Sequence, residues 1–239
     1  MKIELVLSPV LYPSRQLQGD HSVVAVDILR ATSAVCAAFE AGAEEIVPLG
    51  TLEELENYRG AGYTLAAERN GAKVKGAECG NSPTEYMSMD LTGKRLAYST
   101  TNGTVSILCA RNSRSLYIGS FANIGALASR LAGDRVGELV VLCSGWKGDP
   151  SIEDTLFGGA LIETLAACGE EVYMVNDAAM MAVDLWHEAK DDLYGYCSKA
   201  THFHRLQRMG CDRDIRWALA LNSCRVVPMY DKERKTLVK

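Results

Sequence analysis

The sequence predicts an α/β domain with three layers, α/β/α, built around a largely parallel β-sheet. Two observations support this fold class. Apolar runs of strand length alternate with helical patterns along the 239 residues, which is typical of βαβ units. Four of these runs end in short polar turns, and each turn leads into a helical pattern. Because the carboxyl ends of parallel strands meet at one edge of a sheet, these turns predict a ligand site there.

Each strand is predicted from a short run rich in β-branched and other apolar residues. The run Val23-Val-Ala-Val-Asp27 has the continuous apolar pattern of a strand buried on both faces. Predicted strands cover residues 23–27, 45–49, 64–68, 95–99, 115–119, 138–142, 171–175 and 226–230. The proline in the last of these suits an edge strand or a strand end, and the charged tail after Asp231 is expected to fray.

The helices follow the strands and are bounded by local signals. Gly42 ends the first helix, and Thr51-Leu-Glu-Glu54 is a capping box that starts the second. Predicted helices cover residues 31–41, 51–60, 105–111, 124–131 and 155–168, and residues 177–221 are helical in two or three pieces. Residues 71–83 are rich in glycine and follow no regular period.

The chain is predicted to form a single domain over residues 1–239, because no low-complexity linker divides it. Two segments repeat the same order of elements: residues 23–59 and 95–131 each run strand, polar turn, helix, strand, helix. This repetition predicts an internal duplication of strand–turn–helix units. The corresponding halves of the chain would be residues 1–92 and 93–239.

Composition excludes several classes of protein. The net charge of −5 gives no basic footprint for nucleic acid, and the apolar runs fall short of the ~20 residues that a membrane helix needs. The start Met1-Lys-Ile-Glu lacks the apolar core of a signal peptide, and none of the eight cysteines forms a CxxC pair. We therefore expect a reduced, cytoplasmic protein that binds neither nucleic acid nor membrane; a homo-oligomer is left open.

Two turns pair an acidic residue with an arginine. Asp27 and Arg30 follow one apolar run, and Glu68 and Arg69 end another. A carboxylate at a strand end can hold a metal ion or act on a substrate, and an arginine can make a forked contact to phosphate. The alternative is that both are ordinary ion pairs at the edges of loops, which stabilise a protein little.

A third turn is rich in hydroxyl groups and contains Thr100, Thr101, Asn102, Gly103 and Thr104. Asn-Gly is also a strong hairpin signal, but a helical pattern follows it here. We therefore favour a turn that binds phosphate at a helix start.

Further polar turns offer small donors for an anion. At the turn that contains Ser120, the alternative is that Ser120 is only a helix N-cap. For the Asn-Ser-Pro segment at residues 81–83, a plain turn is the favoured interpretation. The candidate substrate-binding residues in these turns are Asn81, Ser82, Ser120, Asn123, Ser144 and Gly145.

Two adjacent carboxylates, Glu153 and Asp154, are candidate Mg²⁺ ligands, because Mg²⁺ takes one or two carboxylates together with water and substrate oxygens. Alternatively, Ser151 and Asp154 form a capping box. His202 and His204 are not expected to form a metal pair, since residues two apart on a helix do not face each other.

Some phosphate chemistries are excluded by missing motifs. No cysteine is followed six positions later by arginine, no Walker loop occurs, and no Gly-x-Ser-x-Gly elbow is present.

Together the turns resemble the 2-phosphosulfolactate phosphatase family, the magnesium-dependent phosphatases of coenzyme M biosynthesis. Each motif is weak alone, but their order and spacing are specific and cover nearly the whole chain. The resemblance is carried by Val26-Asp-Ile-Leu-Arg-Ala-Thr-Ser33, Glu68-Arg69 with Gly71, Gly80-Asn-Ser-Pro83 with Glu85, Thr100-Thr-Asn-Gly-Thr104, Gly119-Ser120 with Asn123, Ser144-Gly145 through Ser151, Glu153 and Asp154, and late in the chain His202, Arg205, Leu206, Gly210 and Asp214.

The resemblance implies hydrolysis of 2-phospho-3-sulfolactate, or of a related small anionic phospho-acid, to 3-sulfolactate and phosphate. It implies Mg²⁺ held by Asp27 with Glu68, Glu153 or Asp154, and a catalytic set of Asp27, Arg30, Glu68 and Arg69. Two other functions use similar turns: a non-catalytic domain that binds phosphate or sulfonate, and a phospho-sugar isomerase.

Overall fold

The computed structural model describes all residues, 1–239, as one eleven-stranded sheet flanked by ten helices. The strands are β1 (Lys2–Val6), β2 (Ser22–Val26), β3 (Glu45–Pro48), β4 (Tyr63–Arg69), β5 (Ala72–Lys73), β6 (Arg95–Ser99), β7 (Leu116–Gly119), β8 (Glu138–Cys143), β9 (Tyr173–Met174), β10 (Met229–Asp231) and β11 (Thr236–Val238). The helices are α1 (Ala31–Glu40), α2 (Leu52–Glu56), α3 (Pro83–Met87), α4 (Gly103–Ala110), α5 (Ile124–Gly133), α6 (Ile152–Ala167), α7 (Asp177–Ala189), α8 (Leu193–Cys197), α9 (Thr201–Arg208) and α10 (Asp212–Ala218).

The sheet consists of two parallel blocks. The strand order is β5-β4-β6-β3-β11-β10-β7-β2-β8-β1-β9. Strands β4, β6 and β3 pair in parallel on one side, and β7, β2, β8, β1 and β9 on the other. The β10–β11 hairpin joins the blocks through antiparallel pairs only. The three-layer α/β prediction is confirmed, but the sheet is mixed rather than continuously parallel.

The two repeated segments are interleaved in this sheet. The first segment places β2 in one block and β3 in the other, and the second places β7 and β6 in the same two blocks. As a result β2 pairs with β7, and β3 pairs with β6. The chain halves 1–92 and 93–239 therefore share both blocks of the sheet.

Side-chain alternation along the strands generates the three layers. Val24 and Val26 of β2 pack into a core with α5 to α10. Val23 and Ala25 of the same strand pack into a second core with α1, α3 and α4. Because both faces are covered by helices, β2 is fully buried, as its continuous apolar sequence predicts.

Strand β1 is the main element that the sequence pattern does not reveal. It lies between β8 and β9 inside the sheet, although its sequence carries Glu4. The Glu4 carboxylate is buried and accepts the backbone N–H groups of Gln16 and Leu17, each at 2.7 Å. A charged residue is thus tolerated in a central strand because the following loop supplies its donors.

The expected fraying of the tail is wrong. Strand β11 pairs with both β10 and β3, and Leu237 is fully buried. Asp231 accepts the backbone N–H groups of Glu233 and Arg234 in the turn before β11, at 2.9 and 3.0 Å. The charged residues of the tail therefore belong to a tight turn that leads into the strand.

The helical boundaries agree with their local signals. Thr51 and Glu54 form the expected capping box, and residues 177–218 contain four helices, α7 to α10. No helix combines the length and hydrophobicity that crossing a lipid bilayer requires.

The burial of Leu237 makes the tail testable. We expect Leu237→Ala to lower the free energy of unfolding by about 2–5 kcal/mol, as is typical of truncating a fully buried leucine. Lys239→Ala, two residues further on and exposed, is the matched control. Urea unfolding of the three proteins measures the difference, and equal stability of both variants would show that the tail does not pack.

Candidate active site

A polar cavity lies where loops of both sheet blocks converge. Three antiparallel pairings separate the blocks, so their strands run in opposite directions. The expectation that all the polar turns share one edge of a continuous parallel sheet is therefore wrong. The cavity residues come from the loop after β2 (Asp27, Leu29, Arg30), the end of β4 and its turn (Glu68, Asn70, Gly71), the segment before α3 (Asn81), the loop after β6 (Thr101, Asn102), the loop after β8 (Trp146, Lys147) and α9 (His202, Arg205, Leu206).

Asp27 supplies a carboxylate at the floor of this cavity. Its Oδ1 accepts the N–H of Ala31 at 3.3 Å, while its Oδ2 has no hydrogen-bond donor. Burial, reinforced by the negative charges of Asp154 and Glu68, raises the pKa of Asp27 to about 8. A cation bound to Asp27 Oδ2 would therefore reduce the electrostatic repulsion between Asp27 and the neighbouring acids.

Asp154 links the loops after β2 and β8. Its two carboxylate oxygens accept the N–H groups of Ile28 and Gly145, at 2.8 and 3.0 Å. Burial raises the pKa of Asp154 to about 6, although these amide donors act in the opposite direction. Asp154 therefore holds the two loops together, and the capping box with Ser151 is absent.

Glu153 also lies apart from the Asp27 cavity. It lines a neighbouring cavity together with Trp146 and His202, and its buried Oε2 has no hydrogen-bond partner. Burial and the charge of Asp154 raise its pKa to about 8. Of the acids expected to accompany Asp27, Glu68 shares its cavity, whereas Glu153 and Asp154 do not line it. Metal binding by these acids stays a prediction.

Glu68 lines the same cavity as Asp27 and organises the backbone around it. Its carboxylate accepts the N–H and hydroxyl of Thr101, each at 3.3 Å, and the N–H of Gly71. The turn after β4 and the loop after β6 are therefore held together by one buried acid.

Arg30 enters the cavity from the start of α1 and is held on two sides. It donates to Asp214 at 2.7 Å and to the carbonyl of Gly71 at 2.7 Å. Asp214 in turn accepts the hydroxyls of Ser82 and Thr84, at 2.7 and 2.5 Å. Ser82, a candidate substrate-binding residue, therefore acts through Asp214 and does not line the cavity.

Arg69 points away from this site. Its guanidinium donates to the carbonyl of Glu68 at 2.7 Å and to the hydroxyl of Ser99 at 2.8 Å. It is absent from the cavity wall. In the structure Arg69 ties the end of β4 to the neighbouring strand β6, and its expected catalytic role stays a prediction.

Some residues of the loop after β6 line the cavity, and others stabilise the loop itself. Thr101 and Asn102 line the cavity, whereas Thr100 and Thr104 are buried and bond each other reciprocally at 3.2 and 3.3 Å. The hairpin alternative is excluded because α4 begins at Gly103. A Cβ on Gly103 would overlap Ala31 and would lie 2.9 Å from Asp27 Oδ2, so close packing explains this glycine.

Four other candidates are structural residues outside the cavity. Ser120 caps the turn after β7, together with Asn123, which also donates to the carbonyls of Ile118 and Val226 at 3.1 and 3.0 Å. Ser144 bonds Ser106 at 2.7 Å. Gly145 has a φ of +59° and packs against the backbone of Asp149, where a Cβ would clash.

Asn81 does line the cavity, and its buried Oδ1 has no partner. Asn70, Trp146 and Lys147 are wall residues that sequence reasoning did not select. His202 contributes singly: its Nε2 bonds the carbonyl of Leu29 at 2.9 Å, and His204 is exposed. Only the resemblance pointed to His202 and Arg205, since α9 reaches the site through tertiary packing.

The Asp214 contacts generate a prediction. Asp214→Asn is expected to lower kcat/KM about tenfold or more, because an amide holds the Arg30 guanidinium less firmly than a carboxylate does. It is also expected to destabilise the fold, since it leaves a buried cation without its counter-charge. The control is Asp212→Asn on the same helix, whose ion pair with Arg216 is exposed. The measurement is kcat/KM at a temperature at which circular dichroism shows that each variant is folded. Equal kcat/KM values for Asp214→Asn and Asp212→Asn would contradict the prediction.

A second prediction concerns Gly103. Gly103→Ala is expected to lower kcat/KM by about tenfold or more, because the added methyl group displaces Asp27 or α1. Gly133→Ala is the control, since nothing lies within 4 Å of a Cβ there. Wild-type activity in Gly103→Ala would show that this contact does not set the position of Asp27.

An α/β sheet whose strand-end loops enclose a polar cavity of carboxylates and guanidinium groups is typical of an enzyme that acts on a small anionic substrate. Comparison with known families agrees with this class. The family model described as 2-phosphosulpholactate phosphatase matches residues 6–233. The chain belongs to the 2-phosphosulfolactate phosphatase family, a family of phosphoric monoester hydrolases.

Three relatives illustrate the similarity, and each is named a probable 2-phosphosulfolactate phosphatase. The protein from Prochlorococcus marinus is 37% identical over 218 residues, which is 89% of each chain. The protein from Synechocystis is 33% identical over 232 residues, or 95% of each chain. The protein from Microcystis aeruginosa is 31% identical over 243 aligned positions and 100% of each chain.

Proposed function

We propose that this chain hydrolyses 2-phospho-3-sulfolactate to 3-sulfolactate and phosphate, with Mg²⁺ as cofactor. The observation that carries the proposal is the arrangement of Asp27 and Arg30 in one cavity. The open Asp27 oxygen and the anchored Arg30 guanidinium lie within the segment that the family match covers. Family membership supports the phosphatase reaction, and the cavity supports an anionic substrate and a divalent cation.

The residues present fit Mg²⁺ held mainly by substrate and water. Asp27 offers one carboxylate oxygen without a donor, and Glu68 lines the same cavity. Mg²⁺ commonly binds through one or two carboxylates together with phosphate oxygens, so a third protein acid is not required. Bound Mg²⁺ would neutralise phosphate charge and lower the pKa of a water molecule.

The protein's own groups orient the phosphate. Arg30 is fixed by Asp214 and Gly71 before substrate arrives, so little side-chain entropy is lost when it binds a phosphate oxygen. Asn102 makes no capping bond at the start of α4, which leaves its amide available to the substrate. The N-terminal end of α4 adds a favourable dipole for an anion.

These groups also stabilise the charge that develops on the phosphate. The Arg30 guanidinium and the α4 N-terminus are held in place by the fold, so they need no reorganisation during the reaction.

The test is phosphate release from 2-phospho-3-sulfolactate with Mg²⁺ and with EDTA. We expect turnover that is lost on chelation and restored by Mg²⁺. Asp27→Asn should lower kcat/KM at least about a hundredfold, because it removes the open carboxylate. Asp20→Asn, whose side chain is 74% exposed, should behave as the wild type.

Other outcomes separate the competing functions. Tight phosphate binding without release of product would indicate an anion-binding domain. Turnover of a phospho-sugar without phosphate release and without a metal requirement would indicate an isomerase. Full activity of Asp27→Asn in the presence of EDTA would remove both Asp27 and Mg²⁺ from the mechanism.

A further inference from the structure

One wall of the cavity carries two cations around an aromatic ring. Lys147 Nζ lies 4.9 Å from the Trp146 ring centroid, and Arg205 Cζ lies 5.8 Å from it. All three side chains line the cavity. We call them the cationic wall. Contacts of this kind hold a cation in place while leaving its N–H groups free to bind an anion.

The cations of this wall have no carboxylate partner in the structure. Every ion pair in the protein involves other residues, and the pair inside the cavity is the one between Arg30 and Asp214. The charge of Arg30 is therefore compensated by the protein, whereas the charges of Lys147 and Arg205 are not.

Arg205 is held beside Arg30 by a single turn. Arg205 donates to the carbonyl of Asn70, and Arg30 donates to the next carbonyl, that of Gly71. Asn70 and Gly71 both have positive φ, +53° and +79°. This turn directs two successive carbonyls at two guanidinium groups. Arg205 is therefore pre-positioned, which favours a role in binding over a role as a surface charge.

The cavity thus holds charges of both signs. It is lined by the acids Asp27 and Glu68, by Arg30, whose charge Asp214 compensates, and by the uncompensated Lys147 and Arg205. A substrate whose only acid group is the phosphate would satisfy Arg30 and leave the cationic wall without a counter-charge. A substrate with a second acid group would satisfy both.

We propose that Lys147, Trp146 and Arg205 bind a second oxyanion of the substrate, a carboxylate or a sulfonate, and so select phosphomonoesters that carry one. The proposal rests on the proposed phosphatase function and assigns the specificity of that site. Arg205 can make a forked contact to two oxygens of the anion, and Lys147 adds a compact charge. Trp146 fixes the distance between the two cations.

The experiment crosses four substrates with five variants, all with Mg²⁺. The substrates are ethyl phosphate, with no second acid; phosphoglycolate, with a carboxylate; 2-sulfoethyl phosphate, with a sulfonate; and 2-phospho-3-sulfolactate, with both. The variants are Lys147→Ala, Arg205→Ala and Arg205→Lys, with Lys199→Ala and Arg208→Ala as controls. Lys199 also lies over an aromatic ring, 3.8 Å from the centroid of Tyr196, but outside the cavity. Arg208 is exposed on the same helix as Arg205.

We expect the wild type to prefer the substrates with a second acid over ethyl phosphate by about tenfold or more in kcat/KM, as expected for one charge-assisted hydrogen bond. Lys147→Ala and Arg205→Ala should lose that preference, mainly through a higher KM for the substrates with a second acid. Whichever of phosphoglycolate and 2-sulfoethyl phosphate loses more activity identifies the acid group that the cationic wall binds. Arg205→Lys should recover only part of the loss.

Three results would overturn the proposal: equal wild-type kcat/KM on all four substrates, equal losses of both wall variants on every substrate, or matching losses in the two controls. Calorimetric binding of the same four esters separates this proposal from the phosphatase function. Binding that depends on Arg205 and on a second acid group, without turnover, would support the role of the cationic wall and contradict the phosphatase function. Turnover without that dependence would support the phosphatase function and contradict the role of the cationic wall.

Discussion

The buried ion pair between Arg30 and Asp214 is the interaction on which the site depends. Both side chains are 6% exposed, and they approach to 2.7 Å. Burying two charges costs several kcal/mol of desolvation, which the attraction between them roughly offsets. The pair therefore contributes little net stability. Its effect is on geometry, because it connects α1, the loop before α3 and α10 through one guanidinium and one carboxylate.

Buried acids extend the same principle to the other loops. Asp154 accepts amides from the loops after β2 and β8, and Glu68 accepts donors from the loops after β4 and β6. Each carboxylate exchanges its hydration for backbone N–H groups, which are fixed donors. The cost appears in the raised pKa values of Asp27, Glu153 and Asp154. Asp154 and Glu68 therefore hold the loops after β2, β4, β6 and β8 in place, although these loops do not follow one continuous edge of parallel strands.

Much of the fold follows from local sequence, because strand and helix periods are local properties. The run at residues 23–27 and the capping box at Thr51 have the structure that their patterns predict. Lys2–Val6 and Thr236–Val238 do not show such a pattern: Glu4 interrupts the first, and the second is three residues long. Their positions depend on partners far along the chain, such as Gln16 for Glu4 and Ile46 for Leu237.

The same distinction applies to the site. Polar turns after strands can be identified from sequence, and Asp27, Glu68, Thr101 and Asn102 do line one cavity. The sequence does not tell which turn residues face inward. Arg69 has the same sequence context as Arg30 but bonds Ser99, and the second cavity arginine, Arg205, comes from a helix more than 130 positions away from Asn70, the residue that it contacts. That placement puts an uncompensated cation in the same cavity as the acids. The combination of charges within the cavity is thus a property of the tertiary fold, and it is the feature that we propose distinguishes a substrate with two acid groups from one with a phosphate alone.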